Sequence, residues 1–273
     1  MRSVKFLVAA GAASLLSSVA FAADMPSIMS SPMYAPVPVE DFGGWYLRGD
    51  IGFSNQRVHH LDTPGYHDPG ITVPPTIGMG FDTAGVFGLG AGYRINNWFR
   101  VDVTGQYRGN ANFHGLDIVS FNGAVIGTDE YRASKSEWLT LVNAYFDLGT
   151  WWCMTPFIGA GVGASRNTIS NFVDVNTPNR GVAFAPTASK WDLAWALHAG
   201  VGYKVTPGLT LELAYHYVNL GDGVTGGLTD FTGFTRGRTM QFKDITSHDL
   251  TIGMRWELNS PPVYAPPPLI RKG

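Results

Sequence analysis

Eight stretches of the chain alternate apolar and polar residues with period two, the pattern of strands whose two faces meet different surroundings. The first, 45–54, sets Trp45, Leu47, Gly49, Ile51 and Phe53 against Tyr46, Arg48, Asp50 and Gly52. The second sets Phe87, Leu89, Ala91, Tyr93 and Ile95 against Gly88, Gly90, Gly92 and Arg94. The third sets Phe99, Val101, Val103 and Tyr107 against Arg100, Asp102, Thr104, Gln106 and Arg108. In the fourth, 137–148, Trp138, Val142, Ala144 and Phe146 oppose Glu137, Asn143, Tyr145 and Asp147. The fifth, 157–165, is Gly/Ala-rich and weaker. The sixth sets Leu193, Trp195, Leu197, Val201 and Tyr203 against Asp192, His198 and Lys204. The seventh sets Leu209, Leu211, Leu213, Tyr215 and Tyr217 against Thr210, Glu212 and His216. The eighth sets Leu250, Ile252, Met254, Trp256 and Leu258 against Asp249, Thr251, Arg255 and Glu257. Each is about ten residues long, enough for a tilted strand to cross a bilayer.

The connections alternate as well. Asn96-Asn97, 149–155 and Thr206-Pro207-Gly208 are short; 55–85, 109–135, 166–190 and 220–247 are long, polar and Gly-rich. Loops of that length count against a compact soluble domain. They fit a membrane barrel with short periplasmic turns and four long extracellular loops. With odd strands rising and even strands descending, outward aromatics collect in two belts, as membrane interfaces demand. Trp45, Tyr93, Phe99, Tyr203 and Trp256 fall at the inner rim, and Trp138, Trp195 and Tyr215 toward the outer rim. The predicted fold is all-β, an eight-stranded antiparallel transmembrane barrel.

One face is rich in charge and the other nearly free of it. The charged face carries Arg48, Asp50, Arg94, Arg100, Asp102, Glu137, Asp147, Lys204, Glu212, Arg255 and Glu257. In lipid the apolar face turns outward, so these residues should form a salt-bridged interior network that blocks a wide pore. The tripeptide Arg48-Gly49-Asp50, known as a ligand of animal cell-surface receptors, then points its charges into the lumen rather than outward.

Composition adds compartment and limits partners. Arg2 and Lys5, an apolar run and Ala20-Phe21-Ala22 make residues 1–22 a signal peptide, with Ala23 the mature N-terminus. Removing two of the 19 Lys+Arg leaves 17 against 21 Asp+Glu, a net charge of −4 that disfavours nucleic acid as a partner. Residues 23–43 read as a Pro-rich linker, 44–258 as the barrel and 259–273 as a Pro-rich tail; "SPMYAPVPV" in the linker is echoed by "SPPVYAPPPL" in the tail. The single Cys153 excludes an internal disulfide.

The "FAAD" cleavage region, "DFGGWYLRGDIGFSN", "FGLGAGYRINNWFRVDVTGQYR" and the closing "HDLTIGMRWEL" resemble the outer-membrane immunogenic proteins of alphaproteobacteria, small porin-opacity-type barrels. The resemblance covers essentially the whole chain. It implies an outer-membrane location with both termini periplasmic, and outer-membrane lipids, lipopolysaccharide and the barrel-assembly machinery as partners. The leading expectation is a barrel and surface antigen that stabilises the envelope, with peptidoglycan as a further partner; the alternatives are a surface adhesin, a haem or other ligand binder, or a narrow porin. In several members the α-amine of an Ala-Asp N-terminus is joined to peptidoglycan, and Ala23 and Asp24 match that motif. The chain departs from many such barrels in ending its last strand with Glu257 and Leu258 and a further tail, instead of a terminal aromatic.

No catalytic set emerges. His216 is turned inward with no Ser beside it, so the chain is expected not to be an enzyme. His59, His60 and His67 with Asp62 lack good metal spacing, and neither metal nor cofactor is expected. Gly88, Gly90 and Gly92 lie in a strand with no following helix, which fits close strand approach better than a nucleotide loop.

Overall fold

The computed structural model describes residues 44–258, apart from positions 74, 179 and 236. The expected signal peptide, linker, tail, Ala23 and Asp24 lie outside the described residues.

Eight strands form the wall: β1 (Trp45–Arg57), β2 (Ala84–Arg94), β3 (Phe99–Phe121), β4 (Ala124–Asp147), β5 (Met154–Asn176), β6 (Ala188–Thr206), β7 (Leu209–Asn219) and β8 (Thr246–Glu257). Each pairs antiparallel with its neighbour in sequence, and β1 closes on β8 from Tyr46 opposite Glu257 to Arg57 opposite Thr246. Closure leaves no free edge in the ring, which lets a sheet satisfy its backbone without water. Period-two alternation decides which way each side chain points. Leu89, Phe53, Leu193, Ile51 and Ile252 stand outward at 62–74% exposure, while Arg48, Asp50, Arg100 and Asp102 are buried inside.

The wall is taller than the alternation predicts. β3, β4 and β5 run 23, 24 and 23 residues, so much of the expected loops 109–135 and 166–190 is strand. Two causes act together. Asn122 and Gly123 both hold positive φ (48° and 81°), making the tight hairpin turn that Asn-Gly favours, with Phe121 paired to Ala124. Below that turn Ala111, Phe113 and Asp117 on β3 and Tyr131, Ala133 and Lys135 on β4 all face inward and are buried. About ten residues suffice for the bilayer, so the surplus lifts the wall roughly 30 Å beyond it.

The 55–85 and 220–247 segments fold over this extension. His60–Asp62, Gln241–Lys243 and Gly223–Val224 form a three-stranded sheet in which Leu61 pairs with Phe242. Phe242 is fully buried, with Phe113 at 5.0 Å and Phe172 at 6.4 Å between ring centroids. Burying one such ring contributes about 1.5–3 kcal/mol. The upper lumen is therefore an apolar core of Val58, Leu139, Leu141, Ile169, Met240 and Ile245 around these rings.

Two lumen-facing glycines of β2 make room for large neighbours. A Cβ at Gly92 would lie 2.4 Å from the Tyr46 ring, and one at Gly90 would lie 2.8 Å from Thr104 and 3.1 Å from Arg48. Their spacing serves interior packing.

Candidate functional site

The lower lumen holds a continuous ion-pair network. Arg48 lies 2.8 Å from Asp50, 3.2 Å from Asp102 and 3.6 Å from Glu212. Glu212 also meets Arg100 at 3.3 Å and Arg255 at 3.0 Å, so one carboxylate serves three guanidinium groups. Arg100 continues to Asp147 at 3.2 Å, and Arg255 to Glu257 at 3.3 Å, which also pairs with Arg94. Aromatic rings fill the gaps. The Arg100 guanidinium sits 4.4 Å from the Tyr145 ring centre and 4.8 Å from that of Phe157, a cation–π sandwich. Arg48 also donates to the Tyr145 hydroxyl at 3.0 Å. The receptor-like tripeptide is thus closed off: Arg48 and Asp50 are each 5% exposed and bound to one another.

A second cluster lies above it. Arg108 pairs with Glu137 at 3.1 Å and with Asp249, and Lys135 pairs with Glu137 and donates to Gln56 at 2.8 Å. Lys135 belongs to a stretch read as loop, and its inward orientation follows only from the extended strand.

Lys204 departs from expectation. It is exposed, beside a register shift between Lys204 and Thr206 where β6 meets the turn to β7, and it has no ion pair among the described residues. Lys204 keeps the inward phase, opposite the buried Thr210, but it is the last residue in regular register before the turn, where the end of the barrel is open to solvent.

The lumen also holds a hydrogen-bonded chain that alternation did not reveal. His198 and His216 approach Nδ1 to Nδ1 at 2.7 Å; His198 Nε2 lies 3.1 Å from Asn143 Oδ1, and His216 Nε2 lies 2.8 Å from Thr251 Oγ1. The two histidines are sequence-distant but directly opposed in the β6–β7 register.

Outward aromatics group at the two rims. Trp45 meets Tyr93 at 5.3 Å and Phe99 meets Phe146 at 5.1 Å near the short turns. Toward the other rim Trp138 meets Tyr107 at 5.0 Å, Trp195 meets Tyr217 at 5.6 Å, and the Tyr215 hydroxyl lies 2.6 Å from His248 Nδ1. Tyr203 and Trp256 are exposed on the outer surface at 52% and 62%.

At the extracellular end the wall encloses a cavity of about 500 Å³, lined among others by Tyr66, Asp129, Tyr131, Asp174, Phe231 and Arg238. Tyr66 donates to Asp117 Oδ2 at 2.5 Å and shares a 2.6 Å hydrogen bond with Tyr131. Burial, reinforced by Asp129 and Asp117, pushes the Asp174 carboxyl up to about 7, and burial raises Asp129 too. Asp222, outside the cavity lining, behaves oppositely. Against the burial that raises it, the Asp244 N–H and Lys243 and Lys190 at 3.0 Å each hold it down at about 2. The loop histidines contribute no cluster: His59 and His60 pack edge to face, and His67 pairs with Asp62 at 2.8 Å.

Comparison with known proteins bears on the whole chain. The family described as outer membrane protein beta-barrel domain matches residues 9–257. An uncharacterized protein of Brucella abortus is 32% identical over 236 residues, spanning 77% of this chain and 79% of its own. A candidate adhesin of Rickettsia bellii is 28% identical over 222 residues, spanning 78% and 88%. Neisserial surface protein A, a solved structure, aligns with 79% of this chain and 97% of its own at 16% identity and a TM-score of 0.41.

Proposed function

The chain belongs to the outer membrane protein β-barrel domain family, and from that premise we propose that it is a closed surface protein whose extracellular wall binds a ligand or a facing surface. It resides in the outer membrane. The observation that carries the reading is the length of β3, β4 and β5, more than twice what a bilayer needs. A scaffold that only spans the membrane gains nothing from such an extension, whereas a contact surface gains reach and rigidity. The relative from Rickettsia bellii, named as a candidate adhesin, supports the same class. Salt bridges below and aromatic packing above fill the lumen, which favours binding over conduction or catalysis.

The test is surface display in a host lacking the protein. Replacing 109–135 with a two-residue turn should keep the barrel heat-resistant in detergent while reducing attachment to target cells at least fivefold. Unchanged attachment would sink this reading. Planar-bilayer recording of the intact protein should show no stable conductance.

A second role is compatible with the first and rests on the sequence: tethering to peptidoglycan through the α-amine of Ala23, next to Asp24. The Pro-rich linker 23–43 supports it, since about 19 extended residues reach ~60 Å. Mass spectrometry of muramidase-digested sacculi should find the Ala23 peptide joined to a muropeptide. Recovery of that peptide with only a free amine would exclude the tether.

A further inference from the structure

The extracellular cavity is built unlike the rest of the interior. In the lower lumen each carboxylate of the network has a cation within ion-pair distance. Around the mouth Asp117, Asp129 and Asp174 have none among the described residues. Asp117 and Asp129 are directly opposed in the β3–β4 register, and Tyr131 opposes Asp174 across β4–β5, so the three carboxyls lie on neighbouring strands at one level. Asp117 is only 1% exposed, yet its Oδ1 has no hydrogen-bond donor, and the buried Oδ1 of Asp174 at the cavity wall has none either. Burying carboxyl oxygens without donors is costly, and a bound donor that carries positive charge removes the cost.

The chemistry of that donor follows from the walls. Tyr66, Tyr131 and Phe231 present aromatic surface beside the acids, which suits the alkyl and cationic parts of one ligand. A volume of about 500 Å³ lies in the range of small-molecule sites and far exceeds a bare ion. Among the described residues no three His, Cys, Asp or Glu groups converge as ligands of one metal ion. Among the described residues the one lining guanidinium, Arg238, is engaged by Asp68 at 2.9 Å, on the loop side of the cavity.

We propose that this cavity binds an organic cation, an alkylammonium or guanidinium group, which donates to Asp129 and Asp174 and packs against Tyr66, Tyr131 and Phe231. The inference rests on reading the extracellular wall as a binding surface, and it names the ligand chemistry. Asp117, buried behind Tyr66, adds negative potential through the Tyr66 hydroxyl. The cation arrives either on a basic side chain of a polypeptide or as a free polyamine.

The test uses the full-length protein in detergent micelles and isothermal titration calorimetry. Probes are spermidine, a capped Gly-Arg-Gly tripeptide, its citrulline counterpart and calcium chloride. Spermidine or the arginine peptide should bind, and the neutral citrulline peptide should not. Tighter binding of the peptide assigns the site to a polypeptide side chain; tighter binding of spermidine assigns it to a free polyamine. The Asp129→Asn/Asp174→Asn double variant should lose affinity at least tenfold. Glu130→Gln, which removes one carboxylate from the outward salt bridge to Arg132, should bind as the parent does. Folding of the double variant is checked by its thermal transition, which should not fall: Asp174 loses no cation, and Asn at 129 keeps a side-chain oxygen to accept from Asn176, which donates to Asp129 at 2.7 Å. Absence of organic-cation binding, calcium binding in its place, or equal loss in Glu130→Gln would each overturn the proposal. The 109–135 replacement also removes Asp129 and Tyr131, so its attachment is compared with that of the Asp129→Asn/Asp174→Asn variant: attachment lost only in the replacement keeps the wall as a binding surface apart from the cation site, and failure of one idea does not read as failure of the other.

Discussion

The barrel encloses two acidic regions of opposite design. In the lower lumen Glu212 gathers Arg48, Arg100 and Arg255, and Asp50, Asp102, Asp147 and Glu257 each find an arginine. Higher along the wall, Asp129 and Asp174 line a cavity with tyrosines, Asp117 lies buried behind Tyr66, and none of the three has a paired cation among the described residues. The difference shows what each region is built to do. A network whose charges cancel internally fixes the strands and leaves nothing for a ligand. A group of carboxyls without counter-charge is unstable by itself and complementary to whatever cation enters.

The largest effect should come from breaking the balanced region. Glu212→Ala strands three buried guanidinium groups and should cost about 3–5 kcal/mol, read as a large drop in the urea midpoint of the refolded barrel in lipid vesicles. Arg48→Ala should cost less, roughly 3 kcal/mol, since Asp102 keeps Tyr46 and Asn143 as partners, and cell attachment should be unaffected. Lost attachment with unchanged stability would revive the tripeptide as a receptor ligand. Next comes Gly92→Leu, which drives a side chain into Tyr46 and should cost about 1–3 kcal/mol by overpacking.

The mouth should respond to pH in a direction set by Asp174. It faces Asp129 and Tyr131 from β4, Asp117 from β3 and Tyr66 and Arg238 from the covering loops. Its folded pKa of about 7 lies above the ordinary value of 3.8, so the folded mouth holds extra protons. Its contribution to stability is full below about pH 4 and is lost as pH rises through 7. Amide exchange in 170–176 should therefore speed up, beyond its intrinsic pH dependence, between pH 4 and 7, and Asp174→Asn should flatten that change. Cation binding should run the other way, weakening as pH falls below 7 and the carboxyl takes up its proton. Smallest of all, Lys204→Ala should leave the thermal transition unmoved, because Lys204 is exposed and outside the network. A clear drop would return it to the interior.

Much of the lower barrel was legible because alternation and the membrane impose the same rule at each position. Arg48, Asp102, Glu212 and Arg255 sit on the polar phase of regular strands, and regular strands keep phase. Lys204 was misplaced because phase alone does not tell how far along the barrel axis a residue lies: it stays in register with Thr210 yet sits at the solvent-open end beside the turn. The extension of β3 and β4 was foreshadowed by Asn122-Gly123, a hairpin turn signal inside a stretch otherwise read as loop. The cavity had no local signature. Tyr66 sits on a short 3₁₀ turn, Asp117, Asp129 and Asp174 on three strands, and Arg238 in a distant loop.

The sequence by itself determined the strand count, the two faces, the aromatic belts and the exported, lipid-embedded character, since these depend on periodicity and composition along short stretches. Tertiary structure alone decided which charge meets which, the His198–His216 contact, the Phe242 plug and the unbalanced acids at the mouth. Those features depend on ring closure and on the stagger between strands: closure brings Arg48 to Glu212 and Phe113 to Phe242, and stagger sets His198 opposite His216 and Asp117 opposite Asp129, neither of which a period-two pattern encodes.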